Sequence, residues 1–91
     1  MWISTGEYKV VGSYLEALRG AAKLTQQELA ARLGKPQSFI SSYESGQRRI
    51  DVLELLRIVE ALGGNARAVC KGLVDTIEAN RRKAQKGRAR P

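Results

Sequence analysis

Apolar residues recur along this chain at three- and four-residue intervals, in five blocks separated by short polar or glycine-bearing breaks. From Ser13, a suitable N-cap, Leu15, Leu18 and Ala22 form a stripe that predicts a first helix ending near Lys23. Thr25-Gln26-Gln27-Glu28 is a capping box, in which the threonine hydroxyl and the glutamate carboxylate each accept a backbone N–H. Leu29, Ala30 and Leu33 mark the inner face of this second helix, and Gly34 stops it by tolerating the left-handed conformation. A third helix opens at Pro36, whose fixed φ and missing N–H cost nothing in a first turn, and runs to Gly46. Asp51 and Glu54 form another capping pair before a fourth helix, with Leu53, Leu56, Val59 and Leu62 inward and Gly63-Gly64 as its end. Asn65 caps a fifth, whose apolar positions are Ala66, Val69, Cys70, Leu73, Val74 and Ile77. The chain is predicted to be all-α, with no internal repeat.

The ends are less regular. Residues 1–12 read as an N-terminal arm in which Tyr8, Val10 and Val11 form a short strand or extended segment. Trp2 and Ile3 are too apolar for a solvated tail and are expected to pack on this subunit or on a partner. Beyond Asn80 the apolar periodicity stops, so residues 80–91 read as a basic disordered tail. Residues 13–79 are then the organised domain.

The stretch from Leu24 to Ile50 is the part equipped to act on something. Its second helix divides cleanly on the wheel: Pro36, Phe39, Ile40 and Tyr43 on one side, Ser38, Ser41, Ser42 and Ser45 on the other, Gln37 at the border. Two short helices joined by a tight turn, the second polar on its outer face, form a helix-turn-helix pattern. A recognition helix enters the DNA major groove N-terminus first, so Gln37, Ser38, Ser41 and Ser42 are the candidate base-facing residues. A glutamine amide matches the adjacent acceptor and donor of adenine, whereas serines read bases more permissively. Gln26, at a helix N-terminus, and Lys35, Arg48 and Arg49, flanking the polar face, are the candidate phosphate contacts. Arg19 and Glu44 both fall at the inner edges of their helices, where an unpaired charge is expensive, and are expected to pair.

Charge changes this picture less than its total suggests. The net charge is +7, but six of the sixteen Lys and Arg lie in residues 79–91 with no acid. Ten cations against nine acids remain in residues 1–78, a net of +1. Bulk charge therefore marks a basic tail, and the folded part must recognise DNA by placement of groups. The chain has no histidine and a single cysteine, Cys70, which is expected to be a small buried apolar residue. No catalytic residues, metal site or cofactor are expected, and no enzymatic role. No stretch resembles a signal peptide or membrane span, so a cytoplasmic location is the expectation.

The segment Leu15–Gly63 resembles the Cro/cI-type, or Xre-family, helix-turn-helix domain. The resemblance rests on LTQQELAARLG, on Gln37-Ser38 with Ile40-Ser41, on Tyr43-Glu44-Ser45-Gly46 and on LELLRIVEALG. It implies a five-helix, lambda-repressor-like bundle whose third helix reads the major groove, usually as a dimer on a two-fold symmetric operator. Carried over by position, it puts Gln26 on phosphate, Gln37, Ser38, Ser41 and Ser42 on bases, and Arg19 with Glu44 in an internal ion pair. Two positions depart from the family pattern: Lys23 stands where glycine is common, and Pro36 replaces the usual serine or threonine cap.

The fifth helix carries a broader apolar stripe than a small domain needs, so Val69, Cys70, Leu73, Val74 and Ile77 are candidates for a homodimer interface. The leading functional reading is a sequence-specific regulator of transcription, a repressor or autoregulator. At this length no ligand-sensing second domain is expected, and control would come from concentration, a partner or operator arrangement. Alternatives are an antitoxin with a toxin partner, a restriction–modification controller, or a protein-interaction module that keeps the fold without using DNA.

Overall fold

The computed structural model describes residues 2–87, with side chains through Ala84. Those residues form five helices and no strand: α1 (Thr5–Ala21), α2 (Gln26–Leu33), α3 (Gln37–Glu44), α4 (Val52–Ala61) and α5 (Ala66–Gly87). α1 packs on α3 and α5, α2 on α3 and α4, and α4 on α5.

The first helix starts a full two turns before the predicted cap. Ser4, not Ser13, is its N-cap, accepting the Glu7 N–H at 3.3 Å, so the expected arm of residues 1–12 is largely helix. The β-branched pair Val10-Val11 suggested extension, but Val11 packs against both core clusters, and tertiary burial outweighs a weak local preference. Trp2 remains 83% exposed, so it does not pack on this subunit.

At the other end, α5 runs through Asn80 to Gly87, and residues 80–87 are helical rather than a disordered tail. Arg81 pairs with Glu7 of α1, which anchors the extension to the bundle. The rest of that tail, residues 88–91, lies outside the described residues.

Two buried clusters make the core. Leu15, Leu29, Ala30, Ile40, Tyr43 and Ile58 join α1 to α4, while Val59, Val69 and Leu73 seat α5. On α4, Val59 is buried and Leu62 packs against the core as predicted, Ile58 is buried beside them, and Leu53, expected inward, is 73% exposed next to an equally open Val52. Val52 and Leu53 are the first two residues of the helix, and both face solvent.

α1 crosses the C-terminal end of α3 at contact distance because Gly12 has no side chain. A Cβ there would fall 2.6 Å from the Glu44 carbonyl oxygen and closer still to that of Tyr43. A mid-helix glycine costs roughly 0.5–1 kcal/mol in propensity, and here it permits backbone to meet backbone.

Candidate nucleic-acid interface

Local chemistry at three points fixes how α2 meets α3. The Thr25–Glu28 box is fully formed, with Thr25 Oγ1 accepting the Glu28 N–H at 3.0 Å and Glu28 Oε1 accepting the Thr25 N–H at 2.8 Å. This makes Gln26 the first residue of α2. Gly34 adopts φ +66°, and the Lys35 N–H returns to the Ala30 carbonyl at 3.0 Å, closing the helix by the Schellman route. Pro36 stands one position earlier than expected, at the N-cap, with no side-chain hydrogen bond of its own. Gln37 therefore opens α3 and faces the start of α2.

The result is a continuous polar relay from the core to the surface. Arg19 Nε and Nη2 donate to Glu44 Oε2 and Oε1 at 2.7 and 3.0 Å, and Arg19 Nη1 donates to the Leu24 carbonyl at 2.8 Å. Gln26 Nε2 donates to Glu44 Oε1 at 2.8 Å, and Gln37 Nε2 donates to Gln26 Oε1 at 3.1 Å. Glu44 is 3% exposed and Gln37 is open to solvent. The Glu44 carboxylate, bonded to Arg19, raises the guanidinium pKa above its ordinary value. An ion pair at this depth destabilises little only because its hydrogen bonds are met.

The serines line the same flank. Ser38 and Ser45 are exposed, and Ser41 and Ser42 are half-buried. Ser41 and Ser45 donate their hydroxyls to carbonyls three residues back, at 3.3 and 3.1 Å, so each presents oxygen lone pairs outward.

The candidate phosphate residues separate into two groups. Lys35 and Arg49 are exposed. Arg48 is committed elsewhere: it forms a forked pair with Glu54 at 3.1 and 2.9 Å and lies 4.7 Å from the Phe39 ring centroid. Lys35 Nζ sits over the same ring at 5.2 Å. Glu54 also accepts the Asp51 N–H, so one carboxylate caps α4 and holds Arg48; these contacts keep its pKa below the ordinary value. Sequence reasoning missed this Phe39–Arg48–Glu54 cluster, although Glu54 was already marked by its capping role. Gln26 is likewise engaged inward, bridging Glu44 and Gln37.

The apolar stripe of α5 also divides. Val69 and Leu73, candidates for a dimer interface, are 8% and 6% exposed within the subunit, where they pack under α1 and α4. They belong to the intrachain core and are not free to form an interface. Cys70 and Ile77 are half-buried and Val74 is 51% exposed.

Comparison with known proteins adds to this geometry. A helix-turn-helix family model matches residues 15–68, more than half of the chain. The chain is 44% identical over 55 residues, 60% of its length and 71% of the relative's, to an uncharacterized HTH-type transcriptional regulator of Sinorhizobium fredii. Among solved structures it resembles an XRE-family-like protein from Pseudomonas syringae, at 40% identity and a TM-score of 0.70, covering 77% of this chain and 85% of that one. It also resembles the restriction–modification controller protein C.AhdI from Aeromonas hydrophila, at 30% identity and a TM-score of 0.63, covering 72% of this chain and 98% of that one. With five helices, a capped α2, a left-handed Gly34 and a polar α3 flank, the chain belongs to the Cro/cI-type, or Xre, helix-turn-helix family of transcriptional regulators.

Proposed function

We propose that this protein binds double-stranded DNA sequence-specifically, with α3 in the major groove, and acts in the cytoplasm as a repressor or autoregulator. The observation that carries the reading is the relay ending on Gln37: a solvent-facing amide at the start of α3, pre-positioned by Gln26. Pre-organised side chains lose little entropy on binding, and the N-terminal residues of a recognition helix are those that meet base edges. Gln37 reads adenine, and Ser38, Ser41 and Ser42 make close, permissive contacts around it. Lys35 and Arg49, both exposed, hold phosphates, as does Gln26 through the free N–H groups of its helix end. Arg48 takes the same role only if its pair with Glu54 opens or shares the anion.

The protein binds as a homodimer on a two-fold symmetric operator, with half-sites about one helical turn apart. Selection of bound sites from random duplex DNA tests this. A symmetric site is expected, and Gln37→Ala should lose preference at one position per half-site. Failure to enrich any sequence overturns the reading. The affinity should also fall as a power of salt concentration, whereas a protein-interaction module would respond little.

A role as a restriction–modification controller is the second reading. It is favoured by the likeness to C.AhdI, whose chain is covered almost end to end. A selected site that recurs upstream of the protein's own gene and a neighbouring endonuclease gene would support it.

A further inference from the structure

Both outer helices run on past the segment that makes the family. The matched region spans residues 15–68, yet α1 begins at Thr5 and α5 continues to Gly87. The two extensions lie side by side and antiparallel. Arg81 of α5 pairs with Glu7 near the start of α1, and two turns on the Tyr14 hydroxyl fills the space beside Gly72 where a Cβ would otherwise stand. Along this seam the helices leave an open groove of about 730 Å³. Every residue lining it lies outside the matched segment.

The groove is mixed in polarity but single in sign. Val10, Tyr14 and Ala79 supply apolar surface, Lys9, Arg82 and Lys83 supply cations, and no carboxylate lines it. Among the described residues, none of these three cations is held in an ion pair. Of the acids on the two extensions, Glu7 is paired with Arg81 and Asp75 with Lys71. Glu78 falls on the opposite side of α5 from Thr76, Asn80 and Lys83.

We propose that this groove docks an acidic amphipathic helix of a partner protein. Charge complementarity selects the occupant: the apolar floor takes aliphatic or aromatic side chains, and the cations take carboxylates that flank them. Thr76 to Lys83 spans two helical turns, about 10 Å, room for two successive apolar anchors at helical spacing. The chain's own residues 85–91 add only Lys86, Arg88 and Arg90 and would be repelled. A second copy presenting the same face would set these cations against themselves. A DNA phosphate would engage the cations but leave the floor wet. A small organic anion would be covered on one side only, whereas ligand sites enclose most of the ligand surface. The inference requires nothing of α3.

The test is selection from a displayed library of random peptides of about 16 residues, long enough for four helical turns, with the full-length chain as bait. Enriched peptides should carry net negative charge and an apolar stripe at helical spacing. Affinity of the most enriched peptide is then measured by fluorescence anisotropy against three variants. One combines Lys9→Glu, Arg82→Glu and Lys83→Glu; the second is Ala79→Glu; all four positions are exposed, so the fold should survive. The third, Leu53→Ser, alters the exposed apolar start of α4. The first two should weaken binding by about tenfold or more, since like charges are brought together in the groove. Leu53→Ser should leave it within about twofold. If the triple variant does not fold, Ala79→Glu alone decides. Failure to enrich, enrichment of basic or neutral peptides, or loss of binding in Leu53→Ser but not in the groove variants overturns the proposal. So does a triple variant that keeps the peptide but loses affinity for random-sequence duplex, because the cations would then serve phosphates.

Discussion

Glu44 sits at 3% exposure with Arg19 and Gln26 as its hydrogen-bond donors, and Arg19 alone supplies the compensating charge. Arg19→Met would leave a buried carboxylate facing a single neutral amide. Removing one partner of such a pair typically destabilises by about 3–5 kcal/mol, so the urea midpoint should fall sharply. Replacing both residues, Arg19→Met with Glu44→Met, should recover much of that loss, because no buried charge remains. A single variant as stable as the parent would mean that the pair carries little. At this scale the sequence was informative where a residue's own wheel position constrained it. Arg19 and Glu44 both fell at inner edges, and the chemistry of burial left them few alternatives. The partners of Gln26 and Arg48 were not legible, because they depend on which carboxylate tertiary packing brings within 3 Å. Wheel position and charge mark both as phosphate contacts, and both side chains are occupied within the fold. Lys23 shows a subtler case: it adopts φ +59°, which explains why glycine is common at that place in the family.

Helix ends and crossings set the next scale. Glu28, Glu54 and Glu7 all have pKa values lowered from about 4.5: Glu28 by the Thr25 backbone N–H, Glu54 by Arg48 and then Asp51, and Glu7 by Arg81. A carboxylate whose folded pKa lies below its unfolded one adds stability above the unfolded value and loses it as pH falls through the folded value. Stability should therefore be level near neutrality and decline on acidification below about pH 4.5. Glu54→Gln should flatten that decline in urea unfolding followed from pH 6 to pH 3; an unchanged slope would exclude Glu54 as a contributor. The crossings give a sharper contrast. At Gly12 an added Cβ meets the backbone of α3, whereas at Gly72 it meets the hydroxyl end of Tyr14. Backbone cannot step aside and a tyrosine side chain can. Gly12→Ala should cost about 2–3 kcal/mol or more, and Gly72→Ala distinctly less, by denaturant midpoint. Element existence was readable from capping boxes and apolar spacing at α2, α3 and α4. The end of α5 was not, since Arg81 matters through its contact with Glu7 of α1, whereas the start of α1 carries a local signal that Ser13 obscured: Ser4 accepts the N–H of Glu7 three residues on.

On the whole-molecule scale, the folded region is close to neutral and the cations concentrate at the C-terminal end of α5 and beyond. Six of them lie in residues 81–91, against a net charge of +1 for residues 1–78. Of these six, Arg81 is paired with Glu7, so it serves the fold before it can serve a ligand. The remaining five are candidates for general phosphate contact, separate in sequence from the α3 flank. If specific and general attraction are carried by different parts of one chain, removing the second should leave the first. A chain ending at Asn80 keeps Val69 and Leu73 in the core and should remain folded. Its affinity for any duplex should drop, and its log-affinity against log-salt slope should become shallower by up to about 5, near 0.9 per lost phosphate contact. The base preferences recovered from random DNA should not change, because phosphate contacts carry no sequence information directly. An unchanged slope would show that these cations never reach the phosphates. A changed base preference would instead mean that the end of α5 helps to seat α3, coupling two surfaces that the hydrogen-bond relay through Glu44 leaves separate.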